Sequence, residues 1–326
     1  MEYAKLGNTD IEVSKLSVGC MSFGDGGSRG SWMLNKEDSE KMVQKALELG
    51  YNFFDTANIY AGGTSEEFLG HAIKNNIARD KVVVASKVFF NQGSMETGIG
   101  NLSKANIERE IEGTLKRLGT DYLDLYIIHR FDASTPIEET MEALHGLVKA
   151  GKVRALGASA MFGYQFHNMQ VVAEQNGWTK FESMQNHYNL VYREDERELI
   201  PVTKQYGVSL TPYSPLAAGR LARAWDKETA RSKTDKFASF KYDTTEDTDR
   251  RIADRVKELA DKHNATMSHI ALAWQHAKGV TSPIIGATKP QYLEDAVGAF
   301  NVKLSSQDLS YLEELYVPHN IVGALT

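Results

Sequence analysis

The sequence predicts one (β/α)8 TIM barrel, closed at its amino-terminal end by a β-hairpin and followed by extra carboxy-terminal helices. Three observations lead there. Short apolar runs recur along the chain, and each is followed by a stretch of helical period, the pattern of parallel strands buried on both faces. Eight such units can be counted, the number that closes on itself. No linker or break in composition divides the chain, so residues 1–326 read as a single domain.

The hairpin is expected from Tyr3 to Leu6 and Ile11 to Val13, which flank the turn-rich Gly7-Asn8-Thr9-Asp10. Lys15–Gly19 is the first barrel strand and Tyr51–Asp55 the second. The others are Lys81–Lys87, Tyr122–Ile128, Val153–Ser159, Phe181–Gln185, Val208–Tyr213 and Val280–Ile285. Asn35 caps a helix to Leu49, and Ser103 caps another to Leu118. Thr64-Ser-Glu-Glu67 has capping-box spacing. Pro136 opens a helix to Lys149, with Gly151 just beyond. Further helices are expected through Val171 and Val172, over Arg193–Tyr206, Asp247–His263 and Met267–Ala277, with two more at the end. The loop Phe23–Gly30 is glycine-rich but too irregular for a dinucleotide fingerprint. Ala217–Asp247 is a long polar excursion, the kind of insertion that serves barrels as a lid.

Composition narrows the function classes. A formal charge of -6 provides no basic footprint for nucleic acid, and no polybasic run suits an anionic membrane. The start is no signal peptide and no apolar run has the length of a membrane span. The single cysteine, Cys20, excludes an internal disulfide framework and fits a reducing cytosol. A cytoplasmic enzyme or binding protein is expected, its oligomeric state open.

In a barrel, the residues at the carboxyl ends of the strands face one another across the mouth. Here they are Asp55 with Tyr60 just after it, Lys87 and His129. Taken singly, each reads as packing, a buried ion pair or a core histidine. Together they make an acid–base group. A free phenol, with a pKa of about 10, is a poor proton donor near neutrality. An ammonium within about 4 Å lowers that value by at most about three units, and a carboxylate beside the lysine keeps it charged. The imidazole is placed to orient a substrate oxygen or pass on the proton. Metal is not expected: Glu142 and His145 lack a second copy, and His263, His269 and His276 lack a close pair. Ser159 lacks the second glycine of a nucleophile elbow.

The combination resembles the aldo-keto reductase family. The matching stretches are Leu16–Gly24, Gly50–Tyr60, Leu118–His129, Gly151–Ser159 and Thr211–Leu221, in the family's order along nearly the whole chain. The last is similar to the bacterial and fungal branches and to the potassium-channel β subunits. The resemblance implies a catalytic tetrad of Asp55, Tyr60, Lys87 and His129, with Tyr60 the general acid in reduction of a small-molecule carbonyl substrate. It also implies NADPH or NADP+ bound across the mouth. Ser159 and Gln185 would meet the carboxamide, and Tyr213 would stack on the ring. Met21 and Asp55 would lie near the ribose, and Ser214 and Leu216 through Gly219, Arg220 and Leu221 along the pyrophosphate. Gly286, Thr288 and Lys289 would take the adenosine 2′-phosphate at a helix amino terminus. Arg231 and Lys233 are candidate clamps on the cofactor.

Four positions depart from the family. Ala160 replaces the usual Asn after the fifth-strand Ser, and Tyr292 and Ala296 replace the amides expected toward the adenine. Lys289 stands for the more usual Arg, keeping the charge without the fork. Trp32, Tyr60, Phe89, Phe90, Phe162, Tyr188 and Trp225 are candidate walls of a substrate pocket suited to flat or apolar carbonyl compounds. A nicotinamide-sensing regulatory subunit is the alternative on the same fold.

Overall fold

The computed structural model describes residues 1–24, 32–91, 100–225, 242, 245–318 and 321. Most of the glycine-rich loop and of the polar excursion, with Arg231 and Lys233, lies outside them. Two antiparallel strands, β1 (Tyr3–Lys5) and β2 (Glu12–Ser14), form the hairpin. Eight parallel strands follow: β3 (Ser17–Gly19), β4 (Phe53–Asp55), β5 (Val83–Val88), β6 (Leu123–Ile128), β7 (Val153–Ser159), β8 (Phe181–Gln185), β9 (Ser209–Leu210) and β10 (Ile284–Gly286). Each of β3 to β8 pairs with the next in sequence, and β10 returns to β3 through Ile284↔Ser17 and Gly286↔Gly19. Backbone hydrogen bonds from Thr281 and Ser282 to the Leu210 carbonyl, and from Ile284 to that of Pro212, join the last strand segment to β9. The ring is a barrel.

Its interior and its plug are one cluster. Leu6, Ile11 and Val13 of the hairpin pack against Phe53, Val83, Ala85, Leu125, Ile127 and Ala155, which alternate along β4 to β7. The residues between them, such as Phe54, Val84, Tyr126 and Leu156, belong to the larger core between strands and helices. A period of two thus sorts each strand into an inner and an outer row.

Three elements differ from the sequence expectation. The helix Thr64–Asn76 starts at Thr64 itself, with Gly63 as N-cap in the left-handed region and no side-chain cap, because Tyr60–Gly63 winds into a 3-10 turn just before it. Glu67, the expected partner of that box, is exposed, while its neighbour Glu66 is buried, accepting hydrogen bonds from Ser86 Oγ and Arg117 Nε. The Arg193–Tyr206 stretch divides into a 3-10 turn, Glu194–Glu196, and a helix, Leu199–Gln205. Pro201 has no N–H to give an interior turn, so the helix starts just ahead of it. The eighth strand forms over Ile284–Gly286 rather than from Val280, since Thr281 and Ser282 turn their N–H groups toward Leu210 and Pro283 has none. Among the described residues, no helix is long and apolar enough to cross a membrane.

The plug is a stability element. Leu6 is fully buried in the interior cluster. Leu6→Ala is expected to lower the unfolding free energy by about 2–5 kcal/mol, measured as a shift of the urea midpoint at unchanged m-value. A midpoint that does not move would mean the hairpin does not close the barrel.

Candidate active site

The inner row continues past the core into the mouth. Phe53, Ala85 and Ile127 are followed two positions later by Asp55, Lys87 and His129. In β7 and β8, Gly157 and Ser183 are likewise followed by Ser159 and Gln185, which pair in register. A Cβ on Gly157 would press on Ser183 Oγ and Ile127 Cγ1, so this row too points inward. Strand parity therefore brings one side chain from each of five successive strands to the same opening.

Lys87 is the hub. Its side chain is 0% exposed, and Nζ donates to Asp55 Oδ2 at 2.7 Å, the Thr56 carbonyl at 2.8 Å and Tyr60 Oη at 3.1 Å. Burial works against the ammonium, but Asp55 and then Tyr60 outweigh it and hold the Lys87 pKa above its usual value. The other carboxylate oxygen, Asp55 Oδ1, accepts from Gln185 Nε2 at 2.8 Å. Ser159 Oγ donates to the Gln185 carbonyl at 2.7 Å.

Tyr60 is held by its turn. Ala61 and Gly62 adopt left-handed conformations, φ 49° and 64°. Gly24, itself at φ 140°, lies where a Cβ would collide with that of Ala61. Ser65 Oγ bonds Thr56 Oγ1 and the Cys20 carbonyl, and Asn58 Nδ2 donates to the Phe90 carbonyl and Glu110 Oε2. The Tyr60 ring meets His129 edge-on with centroids 5.9 Å apart. His129 is partly buried. Desolvation, then the Lys87 and Arg130 charges, push its pKa well below the usual imidazole value, so the ring is neutral.

The aromatic candidates divide. Phe90 packs edge-on against His129 at 5.2 Å, and Phe89 against Phe90 at 5.0 Å. Phe162, partly exposed just after β7, stacks on Tyr164. Trp32 is partly exposed at the edge of the described residues. Trp225 lies under the Arg220 guanidinium and donates from Nε1 to Glu246 Oε1 at 3.1 Å. Tyr188 is a correction: it is 1% exposed, packed on Trp274, and its hydroxyl donates to Glu196. Counting by twos from Gln185 reaches His187, whereas Tyr188 falls on the outer row.

His187 is a residue the sequence reading missed. It stacks on Tyr192 at 4.1 Å and on Tyr213 at 5.2 Å, with Nε2 2.7 Å from Tyr242 Oη. His187 thus lies stacked between Tyr192 and Tyr213. The next residues depart from ordinary backbone: Ser214, Ala217, Ala218 and Gly219 have φ of 55°, 47°, 55° and 95°. Such strain in non-glycine residues clusters at binding sites. Leu216 is partly exposed, Leu221 is buried, and Arg220 lies over Trp225 and Tyr242.

Met21 lies in the 3-10 turn Cys20–Ser22, tied to the last strand by Ser22 Oγ donating to the Ala287 carbonyl. Gly286 and Lys289 are exposed, Thr288 partly so, and Lys289 is the N-cap of the helix Pro290–Val297 without a side-chain cap bond. On that helix Tyr292 is exposed and Ala296 buried, so only Tyr292 of the two departures faces outward. Arg130 was also missed, although a cation directly after His129 was a visible signal. Two surface clefts, of about 290 and 420 Å³, lie between helices on the barrel flank near Gly70 and Glu142, away from these residues.

Comparison with known proteins agrees with this geometry. Residues 15–317 match the model of the aldo/keto reductase family. The versiconal hemiacetal acetate reductase of Aspergillus parasiticus is 42% identical, over 98% of this chain and 98% of its own. An aldo-keto reductase of Fusarium vanettenii is 43% identical, over 99% of this chain and 93% of its own. A Schizosaccharomyces pombe protein named as an aryl-alcohol dehydrogenase is 42% identical, over 99% and 98%.

Ala160, one residue beyond Ser159, has φ 46°. Alanine in that region is strained by roughly 1–2 kcal/mol, and glycine adds back up to about 1 kcal/mol of chain entropy. Ala160→Gly is therefore expected to raise stability by roughly 0.5–1 kcal/mol in urea unfolding. A loss of that size would show that the Ala160 methyl contributes more to packing than its backbone strain removes.

Proposed function

This chain belongs to the aldo/keto reductase family, and on that premise we propose that it is an NADPH-dependent oxidoreductase reducing aldehydes or ketones to alcohols, with Tyr60 as general acid. The observation supporting it most directly is the contact of Lys87 Nζ with both Asp55 and Tyr60 Oη, beside a neutral His129.

NADPH, when bound, supplies the hydride. The chain's own residues manage the proton. Tyr60 Oη gives its proton to the substrate oxygen, and the adjacent ammonium stabilises the phenolate left behind. Asp55 keeps that ammonium charged within a buried site. Neutral His129 donates a hydrogen bond to the carbonyl oxygen, orienting it toward Tyr60 without adding a charge that would oppose Lys87.

The residues fit a nicotinamide dinucleotide. The Ser159 hydroxyl and one Gln185 N–H are engaged on Gln185 O and Asp55, which leaves acceptor oxygens for the amino group of a carboxamide. Ala160 offers that group no donor. Tyr213, backed by His187, is a platform for a flat ring. The left-handed run Ser214–Gly219 lets backbone approach a pyrophosphate closely. Thr288 and exposed Lys289 offer a hydroxyl and a charge to a 2′-phosphate. Phe89, Phe90, Phe162 and Trp32 favour a flat substrate, in keeping with the aryl-alcohol name of one relative. A small diffusible carbonyl substrate met in the cytoplasm is the corresponding setting.

Purified protein is expected to oxidise NADPH when given 4-nitrobenzaldehyde. Cofactor binding without turnover across a broad aldehyde and ketone panel would point instead to a nicotinamide-sensing subunit. Tyr60→Phe should lower kcat by about 10²–10⁴-fold with NADPH affinity nearly intact. Lys87→Met should lose activity too, and wild-type turnover in either variant would overturn the mechanism. For the cofactor, Lys289→Ala should weaken NADPH binding about ten- to a hundredfold and hardly change NADH binding, followed by quenching of tryptophan fluorescence. Equal affinity of the wild type for both cofactors would remove Lys289 from the phosphate site.

A further inference from the structure

Arg130 stands directly after His129, at the carboxyl end of β6. Its guanidinium lies over the Phe90 and Phe89 rings, 4.8 and 5.4 Å from their centroids. Its Nε is buried and has no hydrogen-bond partner, and among the described residues no carboxylate pairs with it. Comparable arginines are treated differently: Arg79 and Arg154 share Asp124, Arg117 has Glu66, and Arg193 has Glu196 and Glu313. The carboxylate nearest in sequence, Asp132, is occupied by the Leu102 and Ser134 N–H groups and by the Ser134 and Thr135 hydroxyls.

A guanidinium partly withdrawn from water without a counter-charge is unfavourable unless something else fills its donors. Contact with two aromatic faces accounts for its position but leaves the buried Nε–H without an acceptor. Its charge is felt at two sides of the mouth, depressing the His129 imidazole and interacting with the Tyr213 phenol. Cofactor phosphates are poor candidates for the missing anion. The loops that suit them follow β9 and β10, and in the ring β6 is separated from β9 by two strands and from β10 by three. The remaining visitor to this side of the mouth is the substrate.

We propose that Arg130 is a specificity-determining residue that binds a carboxylate carried by the carbonyl substrate, so that aldehydes bearing an acid group are preferred over neutral ones of the same shape. The planar fork matches a carboxylate with two parallel hydrogen bonds, and Phe89 and Phe90 hold the fork in place. Its position beside His129 directs the aldehyde end of a short or aromatic acid toward Tyr60. This assignment rests on the carbonyl-reductase reading above.

The test compares kcat/KM for 4-carboxybenzaldehyde and its neutral methyl ester, methyl 4-formylbenzoate, in wild type, Arg130→Met and Arg130→Lys. The acid-to-ester ratio should fall about ten- to a hundredfold in Arg130→Met, with Arg130→Lys between the two because it keeps the charge and loses the fork. An acid-to-ester ratio that is the same in all three proteins overturns the proposal. If neither aldehyde is reduced, the carbonyl-reductase reading fails, and Arg130 is judged separately by calorimetric titration of the full chain with terephthalate, which has no aldehyde. Binding weakened about tenfold or more in Arg130→Met then supports the anion site. Equal binding in the two proteins, or none in either, overturns it.

Discussion

The structure turns on one buried ion pair. An ammonium and a carboxylate removed from water are stable together only if their geometry is good and their remaining lone pairs and protons are matched. Lys87 and Asp55 meet that condition at 2.7 Å, with the Thr56 carbonyl and Tyr60 hydroxyl taking the other lysine protons and Gln185 donating to the second carboxylate oxygen. Asp55, Thr56 and Tyr60 come from the end of β4 and the loop following it, Lys87 from β5 and Gln185 from β8. The barrel is the device that delivers them, since only a closed parallel ring turns the same row of several strands toward one point. The hairpin beneath fills the interior with Leu6, Ile11 and Val13, which keeps that end of the ring apolar.

Charge in the mouth is arranged around His129. Lys87 and Arg130 flank the His129 imidazole, and desolvation together with both cations keeps it neutral. A neutral ring can give a hydrogen bond without competing with Tyr60 for the role of acid. Lys87 is matched within the protein, whereas Arg130 rests on aromatic faces alone. The site therefore presents a paired cation and, one strand away, a cation without a carboxylate partner among the described residues.

Backbone strain is concentrated in the same place. Of the non-glycine residues with positive φ, Ala61 lies in the Tyr60 turn, Ala160 follows Ser159, and Ser214, Ala217 and Ala218 follow β9. Among the described residues, only Asn264 lies elsewhere, where the helix Glu246–Lys262 has just ended. Strands supply regular positions at no conformational expense, but a phenol or a phosphate-binding amide must be aimed by the loop beyond, and alanine in left-handed geometry is what remains when small size matters more than comfort.

The alternation of strand-like and helix-like runs, and the residues at the strand ends, were legible in the sequence because both follow from local periodicity: Asp55, Lys87, His129, Ser159 and Gln185 each close a readable apolar run. Tyr188 shows the limit. Beyond Gln185 the chain no longer looks like a strand, yet it keeps the period of two, so His187 turns inward and Tyr188 joins the core against Trp274. The capping-box spacing at Thr64 was a true local pattern overridden by the Tyr60 turn, which is held by Ser65, Asn58 and the packing of Gly24 on Ala61. The last strand moved because its N–H groups found Leu210 across the closing seam, a partner seventy residues distant in the chain. What the sequence determined alone was the kind of fold and which residue types reach the mouth. Which cation is paired and which is not, and which ring backs which, depended on contacts between strands far apart in the chain, and only the closed ring decides those.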